Sequence, residues 1–134
     1  MSSHLTLAQP SRWVTRFARL IPASGLVLDL ACGGGRHARY LAGLGHPVLA
    51  VDRDEQALSI TAAHGVEIQH MDLEADDSPL KPDWPLQSHR FAGIVVTNYL
   101  HRPLMGALLD SLAPGGVLIY ETFAEGNGLF GKPS

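Results

Sequence analysis

The stretch that most limits what this chain can become is LVLDLACGGGRHARYLAGLGHPVLAVDRD, residues 26–54. Leu26, Val27, Leu28 and Leu30 form a short apolar run suited to a strand covered on both faces. Gly33, Gly34 and Gly35 follow, and such a run lets the backbone turn sharply without placing side chains between it and a ligand. Val48 to Val51 repeats the buried strand, with Asp52 just past its carboxyl end. Two parallel strands need a crossover, so the intervening residues are expected to be helical. That helix is predicted over about 35–44, with Ala38, Leu41, Ala42 and Leu44 inward and Gly45 ending it. In open α/β sheets, ligands bind outside the carboxyl ends of the strands, where strand order reverses. The stretch therefore predicts a nucleotide-type pocket.

The same alternation continues on both sides. Ser11 is a suitable N-cap for a helix over about 12–21, stopped by Pro22. Helical spacing puts Trp13, Phe17, Leu20 and Ile21 on one face with Val14 and Ala18 beside them, while Arg12, Arg16 and Arg19 line another. That arginine stripe reads as a solvated face, and alternatively Arg12 or Trp13 reaches over the pocket as part of a lid. Asp54 should cap a helix over about 55–63, with Glu55 adding a favourable charge in its first turn. Gly65 ends it, and Val66 to Gln69 suggests a third strand. Residues 75–90, with Pro79, Pro82 and Pro85 around Trp84, read as an irregular crossover. Phe91 to Val96 is the fourth strand, a helix is expected over about 102–112, and Ala113 to Gly116 reads as a tight turn into a fifth strand, Val117 to Tyr120. Residues 1–10 and 122–134 read as loose tails. The pattern predicts one α/β domain over 1–134, an open doubly wound parallel sheet with right-handed crossovers.

Composition narrows the partners. A chain of 134 residues with 46% hydrophobic residues is large enough for one well-cored domain. No apolar run approaches the roughly 20 residues that span a bilayer, and the N-terminus lacks the basic-then-apolar order of a signal peptide. The single cysteine, Cys32, leaves no intrachain disulfide and suits a reducing cytoplasm, where it reads as a small packing residue. A net charge of −3 argues against a bulk electrostatic grip on nucleic acid. His4, His37, His46, His64, His70 and His89 show no metal-ligand spacing, so no metal is expected.

Two readings compete for the pocket. Gly33 to Ala38 formally matches G-x-G-x-x-G/A, and Asp52 follows at about the spacing of the dinucleotide fingerprint. Against a dinucleotide stands Asp29, whose carboxylate at the end of strand 1 would repel a pyrophosphate. The same carboxylate suits a ligand that carries an ammonium and a sulfonium.

VLDLACGGG followed by AVDRD resembles the cofactor loop and post-loop acid of class I S-adenosylmethionine-dependent methyltransferases. The resemblance extends over about residues 12–121. Asp72-Leu73-Glu74 falls where that family contacts adenine after strand 3, FAGIVVTNYLHRP falls at strand 4 and its loop, and LAPGGVLIYETF is similar to the turn into strand 5. Small bacterial members of the tellurite-resistance type look nearest. Two departures stand out. Ala31 occupies the first position of the family's G-x-G-x-G, and the chain stops soon after strand 5, where the family continues through a helix and two more strands. A fragment or a minimal variant is implied, and a second copy over the open strand 5 edge, as a homodimer, is one way to cover it.

The resemblance implies S-adenosylmethionine as cofactor, a Rossmann-like strand order of 3-2-1-4-5, and methyl transfer to a small-molecule acceptor. Ala31, Gly33 and Gly35 would bring backbone against the methionine portion, Asp29 would hold the amino end, and Asp52, with Arg53 beside it, would accept the ribose hydroxyls. Asp72 and Leu73 would meet the adenine, and Asn98 would border the pocket. Tyr99 and His101 are the positions from which a base could act, if the acceptor must lose a proton. Each role has a structural counterpart: Asp29 tying down local amides, Asp52 capping a helix, Arg36 and Arg53 lying at the surface, His101 simply entering a helix. The stretch TNYLHRP lacks the asparagine-proline-proline-tyrosine signature of amino-group methylation on DNA bases or amides. A non-catalytic cofactor-binding fragment and a nicotinamide-dependent oxidoreductase remain the alternatives.

Overall fold

The computed structural model describes residues 10–30, 35–62, 65–73, 84–97 and 102–121. Chain order runs α1 (Arg12–Ala18), β1 (Val27–Leu30), α2 (Arg36–Gly43), β2 (Val48–Asp52), α3 (Glu55–Thr61), β3 (Val66–His70) and β4 (Phe91–Thr97). A 3-10 turn (Arg102–Leu104), α4 (Met105–Asp110) and β5 (Leu112–Glu121) complete it. All strand pairings are parallel, in the order β3-β2-β1-β4-β5. The doubly wound sheet expected from the alternation is therefore present. Among the described residues, no helix is long and apolar enough to cross a membrane.

Strand alternation divides the core into two layers. Val27, Val48, Ala50, Val95 and Ile119 face Val14, Ala18 and Ile21 of the N-terminal segment, Ala38 and Leu41 of α2, and Leu58 of α3. Leu28, Leu30, Leu49, Val51, Ile94 and Val96 face the other way, against Met71, Leu73, Trp84, Leu86, Leu104 and Leu108. Both faces of the central strands are covered, which is why they read as continuous apolar runs.

The caps are local and follow the sequence. The Ser11 hydroxyl accepts the Val14 amide at 3.0 Å, and Asp54 Oδ1 accepts the Gln56 amide at 2.9 Å. After α2, Gly45 at φ 100 closes a Schellman arrangement in which the Gly45 amide donates to Ala42 and the His46 amide to Leu41.

Five expectations need correction. Leu44, expected inward, is 49% exposed, because it is the C-cap of α2 and lies past the residues that pack on the sheet. The first helix ends at Ala18, not near residue 21; Leu20 and Ile21 donate back three residues, and Pro22 disfavours a helical residue before it. Its buried face is Val14 and Ala18, while Trp13 and Phe17 flank it half-buried and Leu20 is 59% exposed. The helix expected over 102–112 divides into the 3-10 turn and α4, with Pro103 in the opening turn, where its missing amide matters least. Finally, residues 113–116 are not a turn before a strand. β5 begins at Leu112, opposite Phe91, and Ala113–Gly116 is an irregularity within it, after which Gly93 pairs Val117. Gly115 there has φ 80. A Cβ on Gly116 would lie 2.8 Å from the Ala113 carbonyl oxygen, so the bulge admits no side chain at that position.

Candidate functional site

The sheet's topology defines the edge where chemistry is expected. β1 lies between β2 and β4, so the chain winds outward from β1 in one direction and then resumes on its other side. The crevice at such a switch point opens at the strands' carboxyl ends. Asp29, Asp52, His70 and Thr97 lie at or near those ends.

Asp29 pairs in register with Ala50 of β2 and Val95 of β4. By alternation it shares the α2 face with Val27, and Asp52, two residues beyond Ala50, lies on the same face nearer the carboxyl edge. Asp29 is fully buried, and neither carboxyl oxygen has a hydrogen-bond partner among the described residues. Burial pushes its pKa from 3.8 up to about 7; the Ala38 amide acts against this from α2 without completing a hydrogen bond, Asp52 raises it further and Arg36 lowers it. A buried acid of this kind is an unsatisfied demand for a positive or hydrogen-bond-donating partner. Asp52 is half-buried, and its Oδ1 accepts the Asp54 amide at 2.9 Å, which orients the carboxylate at the start of α3.

Gly35 is the N-cap of α2 and sits at φ 83, in the left-handed region, with no side-chain cap of its own. A Cβ at this glycine would fall 2.7 Å from the Thr61 hydroxyl oxygen and 2.9 Å from the Thr61 Cα. Gly35, and with it the start of α2, therefore rests directly on the end of α3. Thr61 is buried and its hydroxyl donates to the Ala57 carbonyl at 2.8 Å; Arg39 adds a donor to the Ile60 carbonyl at 3.2 Å.

Sequence reasoning did not find His37. It is 2% exposed, and its Nε2 accepts the Ser11 amide at 3.0 Å. Burial and the neighbouring Arg36 lower its pKa from 6.5 to about 4. Thr61 and His37 both act through packing between distant elements, for which no motif exists; only His37's place just after the glycines hinted at a role.

Arg53 is exposed and presents its carbonyl to His70 Nε2 at 2.9 Å, while His70 Nδ1 stands 4.0 Å from the Glu55 carboxylate. Asp72 is half-buried, and Leu73 turns into the core layer with Met71 and Trp84. Ala31, Cys32, Gly33, Asn98, Tyr99 and His101 lie outside the described residues. Arg12 is exposed, and Trp13 packs edge-on to Phe17 at 4.7 Å between centroids.

Known proteins resemble this chain in sequence and in fold. A curated ubiquinone biosynthesis O-methyltransferase of Xanthomonas axonopodis pv. citri is 30% identical over 114 residues, covering 78% of this chain and 46% of that protein. Its namesake in Paraburkholderia phytofirmans is 39% identical over 56 residues, 42% of this chain and 23% of that protein. The chain thus spans less than half the length of these curated relatives. Among solved structures, a TehB-like SAM-dependent methyltransferase from Corynebacterium glutamicum superposes with a TM-score of 0.66 at 22% identity, covering 88% of this chain and 66% of that one. At that identity the likeness speaks for the fold. The family model described as a methyltransferase domain matches residues 27–116. That match begins at the first residue of β1 and runs through every crossover that builds the ligand edge into β5, and the chain belongs to the methyltransferase domain family.

Proposed function

We infer that this chain is the cofactor-binding core of an S-adenosylmethionine-dependent methyltransferase with a small-molecule acceptor. The observation that carries the reading is Asp29. A fully buried carboxyl without a described partner, four residues before a run of three glycines in the sequence, fits a ligand with a cationic amino end. It does not fit a pyrophosphate.

The residues present suit that cofactor. Asp29 would take the amino end, with the backbone of Ala31, Gly33 and Gly35 close to the methionine portion. Asp52 can accept from two vicinal ribose hydroxyls through charge-assisted bonds, beside Arg53. Asp72 and Leu73 follow β3 on the adenine side, with Asn98 beyond β4. When bound, S-adenosylmethionine would supply a methyl group already activated for attack by a nucleophilic acceptor atom. The protein's contribution is alignment of the acceptor for in-line attack, with Tyr99 or His101 placed to take a proton where the acceptor is a hydroxyl. The names of the curated relatives favour such an oxygen acceptor.

Because the chain spans less than half of those relatives, a second reading has its own support: a binding core whose acceptor site is built by further segments. Separately, among the described residues β5 pairs only with β4. Beside it, Trp13, Phe17, Leu20, Val117, Leu118 and Ile119 line an apolar groove of about 240 Å³. A second copy of the chain over this edge is the partner we favour, in a cytoplasmic setting. Light scattering across a dilution series would show it.

The direct test of the main reading is calorimetric titration with S-adenosylhomocysteine beside a nicotinamide dinucleotide. Saturable binding of the former alone is expected; binding of the dinucleotide alone would overturn the reading. Transfer of labelled methyl to a phenol panel separates the active enzyme from the binding core.

A further inference from the structure

We propose that His37 is a positioning residue for cofactor binding, holding Gly35 and the start of α2 in place by tying the first turn of α2 to the N-cap of α1. The inference rests on the cofactor reading above and adds to it a residue and an element outside the pocket.

The linkage runs through one residue, Ser11. Its amide donates to His37 Nε2 at 3.0 Å, its hydroxyl accepts the Val14 amide at 3.0 Å, and its carbonyl accepts the Thr15 amide at 3.0 Å. Ser11 therefore starts α1 with its hydroxyl and carbonyl and anchors that start to α2 with its amide. One turn on, fully buried Val14 packs in the same core layer as Ala38 and Leu41 of α2. The anchor is two-point: a directed hydrogen bond at the helix start and apolar contact below it.

His37 stands two residues past Gly35, whose left-handed backbone is pressed by Thr61. The start of α2 at Gly35 is thus held from two sides, by α3 through Thr61 and by α1 through His37. Thr61 packs directly against the Gly35 backbone. The hold through His37 needs a lone pair, and the buried imidazole keeps one: with its pKa lowered to about 4, the ring is neutral near pH 7, with the proton on Nδ1 and Nε2 accepting. Backbone amides can serve a ligand only if they are held at fixed positions, so loosening this anchor should cost affinity as well as stability. Coupling between two sites is reciprocal, so a ligand at the turn should also tighten the Ser11 amide.

The test uses the full chain and S-adenosylhomocysteine. Calorimetry gives Kd for the wild type, His37→Gln, which keeps an acceptor, and His37→Leu, which fills the space without one. Thermal unfolding is recorded for each, and amide exchange at Ser11 is followed with and without the ligand. The expected result is a rise in Kd of about tenfold for His37→Leu, with His37→Gln within about twofold of wild type. Ligand should slow Ser11 exchange in the wild type but not in His37→Leu.

A second pair of variants carries the test if His37→Leu does not fold. Ser11 has φ −68, which proline accepts. Ser11→Ala and Ser11→Pro both lose the hydroxyl cap, but only the proline loses the amide donor, so its Kd should be the higher by a similar factor. Unchanged Kd in His37→Leu, or equal losses in the leucine and glutamine variants, would overturn the proposal while leaving the cofactor reading intact. Failure of the wild type to bind S-adenosylhomocysteine would overturn that reading and the proposal with it.

Discussion

Thr61 occupies the space that a side chain on Gly35 would need: a Cβ there would sit 2.7 Å from the threonine hydroxyl oxygen and 2.8 Å from its methyl carbon. Gly35→Ala therefore meets two obstacles, a left-handed backbone and a close neighbour. Together they should lower stability by about 2–4 kcal/mol, read as a fall in urea midpoint with an unchanged slope. Adding Thr61→Ser should recover only part of the loss, because the Thr61 Cα would itself lie 2.9 Å from the new atom.

Asp29 and His37 carry opposite pH linkages over nearly the same range. The folded state keeps the Asp29 proton up to about pH 7 where the unfolded chain loses it near 3.8, so this group lowers stability as pH rises through that interval. His37 refuses a proton until about pH 4 where the unfolded chain accepts one near 6.5, so it lowers stability as pH falls through its interval. Between about pH 4 and 6.5 the two slopes oppose each other. Urea titrations of the wild type should be nearly flat there. Asp29→Asn should expose a stability that climbs with pH, and His37→Gln one that declines with pH, each by up to about 1.4 kcal/mol per pH unit.

Asp52 should separate affinity from stability. Its carboxylate orients the start of α3 by accepting the Asp54 amide, a bond worth about 1 kcal/mol. As the proposed ribose acceptor it matters far more. Asp52→Ala should weaken S-adenosylhomocysteine binding about tenfold to a hundredfold while the melting temperature moves by only a few degrees.

Two glycines outside the site should respond in opposite directions. On Gly116 a new Cβ would meet backbone carbonyls of Ala113 and Phe91 at 2.8 and 3.0 Å, so Gly116→Ala should cost about 1–3 kcal/mol. On Gly106, within α4, it would meet nothing within 4 Å. Gly106→Ala should stabilise by about 0.5–1 kcal/mol, a gain of a few degrees in thermal unfolding.

What could be read from the residues alone was whatever is decided locally. The order of strands and helices, the Ser11 and Asp54 caps, the Gly45 stop and the placement of both acids at strand ends all follow from short-range pattern. Errors appear where a distant neighbour decides. The inward face of α1 depends on β5 and α2, which select Val14 and Ala18 over the larger Trp13 and Phe17. The early start of β5 depends on Phe91, whose pairing with Leu112 draws the proline-glycine-glycine segment into a bulge. Trp84 and Leu86 read as part of a polar crossover yet lie in the core, because the sheet face above them needs covering. In the candidate site, the positions of Asp29 and Asp52 at strand ends follow from the motif, whereas the contacts of Thr61 and His37 become visible only once three helices are assembled.

The all-parallel pairing also bears on how the molecule is made. The central strand β1 bonds on one side to β2, a near neighbour in the chain, and on the other to β4, where Val27 meets Gly93. Among the described residues no hairpin joins consecutive strands, so half of the pairing around the innermost strand has to wait until the chain past Phe91 exists. A ribosome-bound stretch ending before β4 would leave Leu28 and Leu30 with an open edge and an uncovered face. The domain should therefore fold late and cooperatively, as its non-local contacts form together, and nascent chains that stop short of β4 should be the ones that chaperones hold.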